Sequence, residues 1–187
     1  MNSLDARARY TRRVLEESFL FLLQEKPVGK ITVTELCQRA QINRATFYKH
    51  YRDVPDLLEC LVQQVLERLE SFLASYPYRQ FEQIILEVLN YMRREGERYF
   101  ILGSGNADPT LSMKTFILCY KSAYPVLEEK FPQMSRKEME MLYHYLAQGC
   151  GGVLTWWLRD GMKLEPEAVT GFISKLSVNT VKGFAEK

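Results

Sequence analysis

The eight residues Arg44-Ala-Thr-Phe-Tyr-Lys-His-Tyr51 carry the most concentrated chemistry in the chain. On a helix at about 100° per residue, Phe47 and Tyr51 point one way and Ala45 and Lys49 nearly the opposite way, with Thr46 and Tyr48 on the flanks. A small residue on the outer face permits close approach to a groove floor. Ala and Thr methyls suit contact with the thymine methyl, while Lys, Arg and the Tyr and Thr hydroxyls suit phosphates or base-edge acceptors. Arg44 at the start and His50 near the end extend the same surface. The chemistry is that of a helix entering a DNA groove, and an ordinary solvated helix is the plainer alternative.

Such a segment must be held rigidly, and the flanking residues supply the means. Thr32-Val-Thr-Glu35 is a capping box, with Ile31 and Leu36 where a hydrophobic staple would fix the entry angle. That helix is short, ending near Ala40. Asn43 is a good cap for the next, with Ile42 and Phe47 as a second staple, and this helix is expected to run from Arg44 to about His50. Asp53 can cap a fourth helix, with Pro55 tolerated in its first turn. Upstream, Val14, Leu15, Ser18, Phe19, Leu22 and Leu23 repeat as one helical face, which stops at Lys26-Pro27-Val28-Gly29. Residues 32–50 therefore read as helix, tight turn, helix, packed on a longer first helix: a helix-turn-helix in a three-helix head.

Composition agrees with this division of labour. The 187 residues are 47% hydrophobic and 26% charged, which excludes a disordered or collagen-like chain. Net charge is only +2, but residues 1–52 hold ten Lys/Arg against five Asp/Glu, and the remainder fifteen against eighteen. A basic head on a mildly acidic body suggests a nucleic-acid-facing part joined to a part with another task. Cys37, Cys60, Cys119 and Cys150 never form CxxC, so neither a disulfide framework nor a zinc ribbon is expected. There is no GxSxG, no HExxH, no Gly-rich phosphate loop and no paired-carboxylate motif, and His50 and His144 lie far apart. An enzyme is not expected, nor a metal or other cofactor. No targeting or bilayer-length apolar segment is legible, so a cytoplasmic protein without membrane contact is the expectation.

The run Ile31-Thr-Val-Thr-Glu-Leu-Cys-Gln-Arg-Ala-Gln-Ile-Asn-Arg-Ala-Thr-Phe-Tyr-Lys-His-Tyr51, followed by Asp56-Leu57-Leu58, resembles the DNA-binding domain of the TetR/AcrR family of bacterial transcriptional regulators, over about residues 8–60. The resemblance implies a homodimer on double-stranded operator DNA, with a divergent helical body that carries the dimer interface and usually a small-molecule pocket. By position it assigns DNA contact to Thr34, Arg44, Ala45, Thr46, Tyr48, Lys49 and His50. Two departures stand out. Gln41 occupies the turn where the family usually has Gly, a position where a left-handed backbone suits Gly best. Val54 stands where the family often has a phosphate-contacting Lys, and Arg52 is the nearest substitute. The stretch Gly151 to Met162 with Pro166 is similar to the branch of the family that includes the dihydroxyacetone kinase operon activator.

The body reads as helical throughout, so the fold class is all-α, with domains at 1–52 and 53–187. The clearest stripe is Leu57, Leu58, Leu61, Val62, Val65, Leu66, Leu69, Phe72 and Leu73. Further helices are expected near 79–94, 110–130, 136–160 and 166–184, with Gly103 to Pro109 as a loop. Ser135-Arg-Lys-Glu138 is another capping box. Its helix carries glycines at 149, 151 and 152, tolerated where backbones approach closely. Leu146, Cys150, Gly151 and Leu154, with Phe172, Ile173 and Leu176 of the last helix, are the expected interface of a four-helix bundle across a twofold axis. Tyr91, Tyr99, Phe100, Phe116, Tyr120 and Tyr124 are candidates to line an effector pocket, although plain core packing is the commoner role for aromatics at such spacing. The leading reading is a dimeric, ligand-responsive regulator acting as a repressor. The alternative is an activator, or a regulator answering to a protein partner.

Overall fold

The computed structural model describes residues 3–74, 81–130 and 132–185. Among them no strand occurs. The described residues form eight α-helices in succession: α1 Ser3–Glu25, α2 Val33–Ala40, α3 Arg44–Phe47, α4 Val54–Ala74, α5 Phe81–Leu102, α6 Leu111–Lys130, α7 Arg136–Arg159 and α8 Pro166–Ala185, with a 3₁₀ turn at Val28–Lys30. The chain divides into two compact units, residues 1–65 with 101–109, and residues 66–100 with 110–187. The first unit thus takes in the start of α4 and a distant loop as well as residues 1–52.

The head unit is built around the apolar stripe of α1. Leu15, Phe19, Leu22 and Leu23 are buried with Leu36, Phe47, Leu57 and Leu61. The Thr32 hydroxyl accepts from the Glu35 amide at 3.2 Å, as a capping residue does. The Glu35 carboxylate takes Lys26 at 2.5 Å, and this hydrogen bond holds it below the usual carboxylate range. The end of α1 has a specific problem. Leu23 would accept its helical hydrogen bond from residue 27, but Pro27 has no N–H to give. The Asn106 side-chain amide supplies the donor, 2.9 Å from the Leu23 carbonyl. The Asn106 carbonyl in turn accepts from the Val28 amide at 2.8 Å. The loop after α5 is thereby bonded to both sides of the proline turn.

In the body unit α6 and α7 pack closely. Gly151 makes this possible: a Cβ there would meet Met113, with its Cε at 3.1 Å and its backbone Cα at 3.4 Å. The Ser112 and Thr155 hydroxyls are hydrogen-bonded across the same seam, and Thr155 also donates to the Gly151 carbonyl at 2.8 Å. Trp157 is fully buried, its indole N–H donating to the Leu164 carbonyl at 2.9 Å. The capping box at Ser135 forms, with Ser135 and Glu138 exchanging hydrogen bonds. Against the expected end near residue 94, α5 continues to Leu102 across a kink at Gly96, whose φ of 50° and ψ of −122° suit only glycine. The expectation stopped where the backbone bends, not where the helix ends.

Candidate nucleic-acid interface

The recognition segment is short and locally fixed. The Asn43 side chain accepts from the Ala45 amide at 2.6 Å and opens α3. Regular α-helix ends at Phe47, earlier than the expected His50. The hydrogen bonds from Lys49 to Thr46 and from His50 to Phe47 have the tighter three-residue spacing. The polar residues still advance around the axis, so the outward surface persists through this turn. Phe47 is fully buried, against the Tyr48 ring edge-on at 5.4 Å and the Tyr51 ring at 5.8 Å.

The predicted contact residues form one accessible surface. Thr34, Arg44, Ala45, Tyr48 and Lys49 are exposed, and Thr46 and His50 are half-buried. Arg44 hydrogen-bonds the Tyr48 hydroxyl, which favours its charged form. His50 is held below the usual histidine range by burial first, then by the nearby Arg12 and Lys49 cations. Arg12 was no sequence candidate. Its α1 helix reaches the recognition segment through tertiary packing, for which a cluster of arginines before residue 14 is the only linear sign.

The two departures noted in the sequence have distinct outcomes. Gln41 adopts the left-handed conformation, φ 54° and ψ 39°, so the turn keeps its geometry without glycine. Arg52 does not stand free as a substitute for the missing lysine. Its guanidinium bonds Asp56 at 2.8 and 3.0 Å, and its amide bonds the same carboxylate at 2.8 Å. Val54 is buried in the head.

The other predicted sites fare differently. Leu146, Cys150, Gly151, Leu154 and Ile173 are buried within the chain's own body unit, whereas Phe172 and Leu176 are more than half exposed. The outward stripe of α7 is instead Met141, Tyr145, Gly149, Gly152 and Trp156. Of the aromatic candidates, Tyr91, Tyr99 and Phe116 are buried core, with Tyr99 hydrogen-bonded to Thr115 and Tyr91 packed 5.4 Å from Phe72. Phe100 is exposed, and the side chain of Tyr120 lies outside those described. Tyr124 lines a cleft of about 400 Å³, with Lys121, Glu128, Arg136, Glu140 and Tyr143. Burial pushes the Cys119 thiol up to about 12 and the Cys150 thiol to about 11, so both are protonated at neutral pH.

A capped helix-turn-helix with a polar, cationic outer face on an all-α chain defines a DNA-binding protein of the helix-turn-helix class. A model of the transcriptional regulator C-terminal region of TetR type matches residues 79–179, more than half of the chain. The chain belongs to the TetR family of DNA-binding transcriptional regulators, which are not enzymes. It is 37% identical over 62 residues to the HTH-type transcriptional regulator YxbF of Bacillus subtilis strain 168, a match covering 33% of this chain but only 16% of that protein. Its fold is similar to that of a TetR transcriptional regulator from Streptococcus agalactiae 2603V, with TM-score 0.71, 23% identity, and 94% and 99% of the two chains covered. It is also similar to the dihydroxyacetone kinase operon activator DhaS, with TM-score 0.61, 19% identity, and 92% and 96% covered. A further fold likeness is to NalD, the secondary repressor of the MexAB-OprM multidrug efflux pump in Pseudomonas aeruginosa, with TM-score 0.63, 17% identity, and 93% and 96% covered. Among the described residues no helix is long and apolar enough to cross a membrane.

Proposed function

We propose that the chain acts as a homodimeric repressor that reads an operator through Thr34 and the surface from Arg44 to His50, with affinity set by a small-molecule effector. The observation that carries the DNA reading is the outward, exposed placement of Lys49, Ala45 and Tyr48 opposite a fully buried Phe47. Dimerisation is supported by exposed apolar side chains on adjacent helices: Tyr145 at 67% and Trp156 at 54% on α7, and Phe172 at 56% and Leu176 at 53% on α8. Gly149 and Gly152 lie among them with open space before them, leaving room for a second backbone. A twofold operator asks for a twofold protein, and two such helix pairs make a four-helix bundle. Repression is the simplest consequence of a dimer occupying promoter DNA.

Effector recognition is assigned to the cleft of about 400 Å³ between α6 and α7. Two cations, Lys121 and Arg136, two carboxylates, Glu128 and Glu140, and two tyrosine rings suit a small ligand carrying both charge signs and an apolar stem. The test of the DNA reading is selection of a bound duplex from a random-sequence pool by the full chain, followed by fluorescence anisotropy. Lys49→Ala should leave melting unchanged and reduce the slope of log affinity against log salt by about one per subunit. An unchanged slope would remove Lys49 from the interface, and a pool yielding no duplex would overturn the DNA reading.

A further inference from the structure

We propose that Arg12 on α1 is a further phosphate-contacting residue, extending the DNA interface beyond the helix-turn-helix. The proposal rests on the DNA-binding reading above and adds a contact to it. Its basis is the packing of α1 beside the recognition segment. The Tyr51 hydroxyl donates to Glu16 at 3.4 Å, and the Gln64 side-chain amide donates to the same carboxylate at 3.4 Å. These contacts lay the Glu16 face of α1 along the end of the recognition turn. Arg12 stands one turn earlier on that face, since residues four apart on a helix are neighbours. It is thereby carried alongside His50, whose protonation feels both Arg12 and Lys49.

Four other cations of the head are already engaged, and of those that are not, Arg12 is the one on α1 whose charge is felt at His50 together with that of Lys49. Arg13 is paired with Glu17 at 3.5 Å, Lys26 with Glu35 at 2.5 Å, and Arg52 with Asp56 at 2.8 Å. Arg39 lies over the Phe21 ring, 3.2 Å from its centroid. Arg12 and Lys49 are exposed, and among the described residues neither takes part in an ion pair. Glu16, the acid one turn from Arg12, is already engaged with Tyr51 and Gln64. Two uncompensated cations beside a half-buried imidazole repel one another, and an anion placed between them relieves that repulsion. A phosphodiester is such an anion, and a guanidinium fork grips it with two parallel hydrogen bonds. The contact also supplies what Val54 and the committed Arg52 do not: a phosphate-binding cation flanking the recognition segment.

The experiment compares full-length chains on the duplex selected by the wild-type protein. Arg12→Ala should reduce the salt slope by about one per subunit and lower affinity roughly tenfold or more at ~0.1 M salt, with equal losses on selected and scrambled duplexes. Arg12→Lys should restore most of the slope, because the charge is retained. Arg13→Ala is the control for a cation already paired, and should leave the slope unchanged. Arg12→Ala with wild-type slope and affinity, while Lys49→Ala loses both, would overturn the proposal and leave the DNA reading intact. Equal losses for Arg12→Ala and Arg13→Ala would also overturn it, since the effect would then be one of overall charge. A wild-type chain that selects no duplex would overturn the DNA reading together with it.

Discussion

The recognition segment and α7 are both helical stretches with an inside and an outside, yet their sequences reveal those sides unequally. Around Phe47 the two sides differ in kind: an aromatic residue goes in, while lysine, arginine and small polar residues go out. Along α7 both sides are apolar. Leu146, Cys150, Leu154 and Trp157 face the protomer's core, and Met141, Tyr145 and Trp156 face outward. Periodicity separates apolar from polar, but it does not separate a face buried in the same chain from one available to another chain. The head's function was therefore legible where its chemistry changes from face to face, and the body's was not.

The sharpest way to break the head's side of this contrast is Phe47→Ala. Truncating a fully buried phenylalanine costs about 3–5 kcal/mol. The loss exceeds any expected from the outward residues, whose removal should spare folding. Thermal melting by circular dichroism should show the head unfolding early. A variant with unchanged melting and DNA affinity would refute the inward anchor.

Two adjacent glycines sharpen the body's side. Gly151 faces Met113, so Gly151→Leu should destabilise the protomer itself by about 1–3 kcal/mol or more through overpacking. Gly152 has nothing within 4 Å, so Gly152→Leu should not lower the stability of the single chain, and by helix propensity can raise it by up to about 1 kcal/mol, while shifting sedimentation toward monomer at micromolar protein. The reverse pattern would put the dimer surface on the Gly151 face. The stripe of α7 was visible in the sequence, but which neighbour each glycine meets depends on α6, about forty residues away. The same is true of Asn106. Its loop was legible from composition, while its bond to Leu23 arises because a proline removes a donor 79 residues earlier.

A smaller effect concerns the turn that positions the recognition segment. Gln41 holds φ 54°, a conformation costing a residue with a side chain about 1 kcal/mol more than glycine. Gln41→Gly should raise stability by up to about that amount, less the backbone entropy lost by glycine. Denaturant unfolding measures it, and a clear loss of stability would mean the Gln41 side chain makes a compensating contact. Here the sequence showed the departure from the family pattern, and the turn imposed the same backbone on a different residue.

The smallest effect, and the one joining stability to DNA binding, belongs to His50. Burial, Arg12 and Lys49 hold its folded-state pKa below the ordinary 6.5. Below pH 6.5 the unfolded chain then binds more protons than the folded one, so this group's contribution to stability is full above that pH and falls as the solution is acidified toward the folded pKa. DNA reverses the preference. A phosphate near Arg12, Lys49 and His50 favours the imidazolium, so operator affinity should rise over the same acid range in which the free head loses stability. His50→Gln should abolish the rise in affinity and flatten this part of the stability profile, with both measured from about pH 7.5 down to about pH 5.5, the range that brackets histidine titration. The opposing signs are the discriminating feature. A histidine on a merely solvated face would shift neither curve, and one buried for packing alone would shift stability without DNA affinity. Only a histidine held against cations on a phosphate-facing surface moves the two in opposite directions.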